Sequence, residues 1–93
     1  MAMTFEDMVR FDDHSIQRIL KEVDGNVFAV ALKIASPDLL ARVYKNLSTR
    51  AATLLKEDVE LGATIVPEVE EAQHQIVDLI RSLEASGAIR LRR

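Results

Sequence analysis

Ninety-three residues carry 12 Lys and Arg against 15 Asp and Glu, a formal net charge of −3, with 48% apolar side chains, material for one domain with its own core. The absence of cysteine excludes a disulfide scaffold, a thiolate zinc site and a cysteine nucleophile. The longest apolar run, Val27 to Leu32, falls far short of the roughly 20 residues that span a bilayer. Mild acidity argues against a nucleic-acid binder, and the lack of a charged-then-apolar leader makes the cytoplasm the expected compartment.

Two prolines and three glycines fall at the ends of periodic segments and act as punctuation between helices. The first segment is short: Thr4 and Asp7 resemble a capping box, and Phe5, Met8, Val9 and Phe11 supply an apolar stripe. Asp12 and Asp13 next suit a helix start. From there Ile16, Ile19, Leu20 and Val23 recur at the i, i+3, i+4, i+7 spacing of an amphipathic helix. Asp24-Gly25-Asn26 is expected to end it, with Gly25 in the left-handed conformation of a helix stop.

Residues 27–35 are apolar on nearly all sides, which predicts a short central helix; a strand there would have nothing to pair with. Ser36-Pro37-Asp38 is a strong start signal, combining a capping hydroxyl, proline at the first helical position and an anion at the positive helix end. Leu39, Leu40, Val43, Tyr44 and Leu47 carry that helix to residue 47. Ser48 caps a helix over 49–61, closed by Gly62. Pro67 opens the last and longest one, whose seam is Val69, Ala72, Ile76, Ile80 and Leu83 and which Gly87 ends. Residues 88–93 alternate without a partner strand and are expected to be extended or frayed. The outcome is an all-α, six-helix domain whose mostly short helices depend on packing against one another.

One helix stands apart. On a 100° wheel, Ala51, Leu54, Leu55, Val59 and Leu61 share one side of the 49–61 segment; Arg50, Thr53, Lys56, Glu57 and Glu60 share the other. Arg50 and Glu57, seven apart, nearly coincide in angle and form one ridge of alternating sign. Asp58 sits on the rim of the apolar side, where a carboxylate must reach solvent or a cation. Pattern alone favours a plain solvated face; the functional reading is an electrostatic contact ridge.

Catalysis finds little support. His14 and His74 lie far apart in sequence, no Gly-rich phosphate loop or nucleophile elbow occurs, and Asp12-Asp13 reads as capping rather than acid–base chemistry. No cofactor, metal or small-molecule substrate is expected. Arg90, Arg92 and Arg93 on an acidic chain are weak grounds for nucleic-acid binding.

Eight short strings in order carry a resemblance: Phe-Glu-Asp-Met-Val at 5–9, Asp-Asp-His-Ser-Ile-Gln-Arg at 12–18, Lys-Glu-Val-Asp at 21–24, Ala-Leu-Lys at 31–33, Lys-Asn-Leu-Ser at 45–48, Arg-Ala-Ala at 50–52, Leu-Leu-Lys-Glu-Asp at 54–58 and Val-Glu-Glu-Ala-Gln at 69–73. Over residues 3–89 the chain resembles the C-terminal domain of the FliG family, rotor proteins of the bacterial flagellar motor switch. The resemblance implies a single compact six-helix unit with armadillo-like superhelical relatives. It also implies that the fifth helix faces the cytoplasmic loop of a MotA-type stator protein, with Lys33, Arg50, Glu57 and Asp58 as the contact residues. Other switch-complex proteins and neighbouring FliG subunits are the further expected partners, at the basal body on the cytoplasmic face of the inner membrane, with a part in switching rotation direction.

Four positions depart from the family pattern. Gly62-Ala63-Thr64-Ile65 replaces a loop that usually reads Gly-Pro-Val-Arg, so the family's loop arginine is missing. Ile34 stands for a glycine, His14 for an arginine, and Ala2-Met3-Thr4-Phe5 for a Met-Phe-x-Phe hinge. These leave two alternatives: a divergent FliG paralogue with reduced stator contact, or a helical protein-interaction adaptor outside motility.

Overall fold

A computed structural model describes residues 3–90. A 3₁₀ helix at Phe5–Arg10 precedes α1 (Asp13–Glu22) and α2 (Gly25–Ala31), which runs on as a 3₁₀ turn over Leu32–Ile34. Then follow α3 (Pro37–Lys45), α4 (Thr49–Glu60) and α5 (Val66–Ala85). Counting α2 with its 3₁₀ continuation, these are the six expected helical segments, and the described residues contain no strand. The fifth helical segment of the sequence reading is therefore α4 (Thr49–Glu60).

Local chemistry sets the boundaries. Asp12 accepts from the Ser15 N–H at 2.7 Å, Ser36 Oγ from Leu39 N–H at 3.1 Å and Ser48 Oγ from Ala51 N–H at 3.1 Å, each satisfying a free donor in a first turn. Asp7 accepts from the Thr4 N–H at 2.9 Å in the expected capping box. At the end of α5, Gly87 adopts φ +80 while its N–H bonds Glu84 O and the Ala88 N–H bonds Leu83 O, a Schellman stop.

Asp24-Gly25-Asn26 works differently from expectation. The Asp24 carboxylate accepts from both Asn26 and Val27 N–H groups, at 2.9 and 3.1 Å, so the tripeptide starts α2 rather than stopping α1. Gly25 is the first residue of that helix, and positive φ occurs among the described residues only at Gly62 and Gly87. Extended Val23 makes the break, two residues before α2 begins.

The core forms where α5 packs along α2 and touches α1 and both 3₁₀ segments. Ile76, Ile80 and Leu83 of α5 join Phe28, Ala31 and Leu32, while Met8, Phe11, Ile16, Ile19, Leu39 and Val43 complete the cluster. Phe5 meets Phe28 edge to face, with centroids 6.4 Å apart. Ile89 is also buried in this cluster, and the Arg90 N–H donates to the buried Ser15 Oγ at 3.3 Å. Residues 88–90 are thus held against the body instead of frayed; 91–93 lie outside the described residues.

Polar groups fasten the amino-terminal 3₁₀ helix to α3 at both ends. Glu6 accepts from the Ser36 N–H and hydroxyl. The Arg42 guanidinium donates to Val9 O (3.0 Å), Phe11 O (2.7 Å) and Asp13 Oδ1 (3.0 Å), converging on carbonyls that the short helix leaves unpaired. Asn46 and Lys45 complete the shell around Asp13. The Asn46 hydrogen bond chiefly holds the Asp13 carboxyl below its ordinary value; desolvation is the next influence and opposes it, and Lys45 and then Arg42 add lesser downward pulls.

A carboxylate whose folded pKa is depressed stabilises the fold above its unfolded pKa, and that contribution disappears as pH falls through the folded value. Urea midpoints measured between pH 5 and pH 3 should therefore fall less steeply for Asp13→Asn than for the unmutated chain. Parallel slopes would show that this network contributes nothing to acid sensitivity.

Candidate functional site

Helix α4 is seated more lightly than any other. Its Ala51, Ala52, Leu55 and Val59 are only half-buried, and none of its residues reaches full burial. The helix touches the body along α2 and the Leu32–Ile34 turn, a contact too narrow to cover the whole expected apolar side. Leu55 and Val59 pack on the core, whereas Leu54 is 51% exposed and Leu61 74% exposed. The wheel thus gives the correct direction of the buried side but overstates its width.

Arg50, Glu57 and Asp58 are exposed, and their side chains make no hydrogen bond or ion pair with any described residue. Arg50 and Glu57 stand about 10 Å apart along the axis at 1.5 Å rise per residue, with Thr53 exposed between them. Thr53 turns its hydroxyl back onto Thr49 O at 2.9 Å. Asp58 resolves its rim position by facing solvent, because the adjoining Leu54 and Leu61 are also uncovered.

Lys33 behaves unlike the other three. It is half-buried in the 3₁₀ turn, and its ammonium donates to Val59 O at 2.7 Å and Leu61 O at 2.5 Å, beneath the carboxyl end of α4. The structure thus gathers all four expected residues on or under one helix, three open and one engaged.

Two features had no sequence signal. Lys56 Nζ lies 5.0 Å from the Tyr44 ring centroid, a cation–π contact that ties α4 to α3. Burial first, and the Glu60 charge second, raise the Tyr44 hydroxyl above its ordinary value. An apolar cleft of about 480 Å³ also opens between α2 and the start of α5, with Val27, Val30, Pro67 and Ala72 as its floor and Glu68 and Glu71 beside them. The exposed Ile65 and Val66 immediately precede it in sequence.

Among the described residues no group of three or more His, Asp or Glu side chains is placed to hold a metal ion, and no helix is long and apolar enough to cross a membrane. His14 and His74 are both exposed. The architecture and this surface define an all-helical domain with one lightly seated helix whose mixed charges are open to solvent.

Comparison with known proteins narrows the class. The FliG C-terminal domain family model matches residues 1–91. Flagellar motor switch proteins FliG from Borreliella burgdorferi and Thermotoga maritima are 52% and 49% identical over 86 residues, each match covering 91% of this chain and 25% and 26% of the relative. A crystal structure of Helicobacter pylori FliG superposes with a TM-score of 0.93 at 37% identity, over 97% of this chain and 43% of that one. Full-length FliG from Aquifex aeolicus gives 0.87 at 42%, over 91% and 27%. The chain belongs to the FliG C-terminal domain family, as its sequence resemblance implied, and spans about a quarter of the length of these curated relatives.

The uneven seating has a measurable consequence. Ile80→Ala, at a fully buried position of α5, should cost about 2–5 kcal/mol in urea unfolding. Leu54→Ala on α4 should stay within about 0.5 kcal/mol of the unmutated chain. Comparable losses at the two sites would mean that α4 is buried more deeply than described.

Proposed function

We propose that this domain is the stator-facing part of a flagellar rotor, transmitting torque by electrostatic contact between α4 and the cytoplasmic loop of a MotA-type stator protein. Arg50, Glu57 and Asp58 would meet the stator, with Lys33 contributing its charge from the carboxyl end of the helix. Neighbouring FliG subunits and other switch-complex proteins are the remaining partners, at the basal body on the cytoplasmic face of the inner membrane. Reorientation of the domain within that ring would serve direction switching.

The observation that carries this reading is the set of three charged side chains, two signs among them, left without internal partners on a helix that gives nothing fully to the core. A rotor contact must form and release repeatedly. Exposed ion pairs contribute only about 0–1 kcal/mol each, so a contact built from them turns over readily. Their reach of roughly 8–10 Å at cytoplasmic ionic strength lets an approaching loop be steered before it touches. A deeply buried apolar contact would hold the partner too long for that cycle.

The loop after α4 favours a second reading, a divergent paralogue with reduced stator contact. Ile65, 47% exposed, lies in the loop where the family pattern carries an arginine, so this loop lacks that cation.

Exchange of the ridge charges tests the proposal without altering net charge. In a motile host whose rotor carries this domain, Arg50→Glu combined with Glu57→Arg should lower stall torque at least several-fold. A stator loop with its own charges reversed should recover part of it. Unchanged torque in the doubly exchanged rotor would remove the ridge from the mechanism.

A further inference from the structure

We propose that Lys33 is a positioning residue: its ammonium clasps the carboxyl end of α4 and sets the attitude in which the charged ridge is presented. Its meaning for rotation rests on the function proposed above, whereas the clasp itself is a property of this chain alone.

The last carbonyls of any α-helix lack partners within the helix, and the negative end of the helix dipole gathers there. In α4 the Asp58 carbonyl is served by the Leu61 N–H at 3.3 Å. The α4 sequence places no basic residue in its own last turn to serve the others. Lys33, from a separate turn of the chain, instead donates to Val59 O and Leu61 O together. A single ammonium with three donors satisfies both oxygens and neutralises the helix end.

The two sides of this clasp are not equally fixed. Lys33 sits between buried Leu32 and a turn whose Ser36 N–H and hydroxyl are bonded to Glu6, so its base is tied into the body. On the other side α4 has no fully buried side chain; half-buried Leu55 and Val59, with the Lys56–Tyr44 contact, are its other fastenings. When a firm base and a lightly seated helix share one strong polar link, that link governs the angle of the lighter partner. Lys33 then shapes the contact through α4, whether or not it meets the stator itself.

Backbone hydrogen exchange on the 93-residue chain tests the clasp. Lys33→Met keeps the aliphatic stem and loses the donor, and should speed exchange of the Asp58–Leu61 amides roughly tenfold or more, the scale of a lost charge-assisted hydrogen bond. Amides at Ile16–Leu20 of α1 and Ile76–Ile80 of α5 should keep their rates. Lys33→Arg, whose guanidinium still donates to carbonyl oxygens, should restore protection to within about threefold. A stem that acted only by packing would leave Met and Arg alike, and unchanged protection in Lys33→Met would overturn the proposal. The unmutated chain offers a readout that needs no variant: through-hydrogen-bond NMR couplings from the Lys33 ammonium nitrogen to the carbonyl carbons of Val59 and Leu61 should be observable. Their absence alongside a freely rotating ammonium signal counts against the clasp. Should protection fall as expected while exchanged ridge charges leave torque intact, the clasp stands and the proposed function fails.

Discussion

The packing of α5 on α2 is the interaction from which the rest of the domain takes its position. Ile76, Ile80 and Leu83 bury themselves with Phe28, Ala31 and Leu32, and the side chain of Gln73 adds a hydrogen bond to Ala31 O at 3.0 Å. Each of the larger of these side chains contributes on the order of 1.5–3 kcal/mol on burial. Short helices with little intrinsic stability are thereby held in fixed relation. The Leu32–Ile34 turn, an extension of α2, inherits that rigidity and passes it to α4, which touches both α2 and the turn.

Helix α4 shows the opposite economy. Its contact with the body is narrow and its charged side faces water, so it keeps polar groups available that a deeper seat would have had to pair or exclude. Stability and availability compete along this helix. The sequence settles the competition with alanines at 51 and 52, two half-buried apolar residues, a serine cap at the front and a borrowed lysine at the back. Cation–π contact of Lys56 with Tyr44 adds a fastening on the outer flank without removing charge from the surface.

Much of this was legible from periodicity. The stripe in α1, the Ser36-Pro37 start of α3, the Ser48 cap and the α5 seam all rest on rules that act within a few residues, and the structure keeps them. Asp24-Gly25-Asn26 suits a helix stop and a helix start equally by composition; the two free N–H groups that the Asp24 carboxylate serves decide for the start. Ile89 looked like part of a loose end since nothing local reveals that a groove in the body awaits it. Exposure of Arg50 and Glu57 follows from their angles on the wheel; that of Asp58, on the rim of the expected apolar side, depends on how little of that side is covered, and the engagement of Lys33 depends on carbonyls 26 and 28 residues away that leave no trace in its neighbourhood.

The proposed function requires α4 to offer a weak, charge-governed contact surface to a partner loop. It is tested most directly by NMR titration of the isotope-labelled domain with a peptide of a MotA-type cytoplasmic loop at low and high salt. A charge-governed contact should give shift changes centred on Arg50, Thr53, Glu57 and Asp58 that shrink steeply as the ionic strength rises well beyond cytoplasmic levels. Changes that instead map to the apolar cleft at Val27, Val30 and Pro67, or that persist undiminished in high salt, would contradict it.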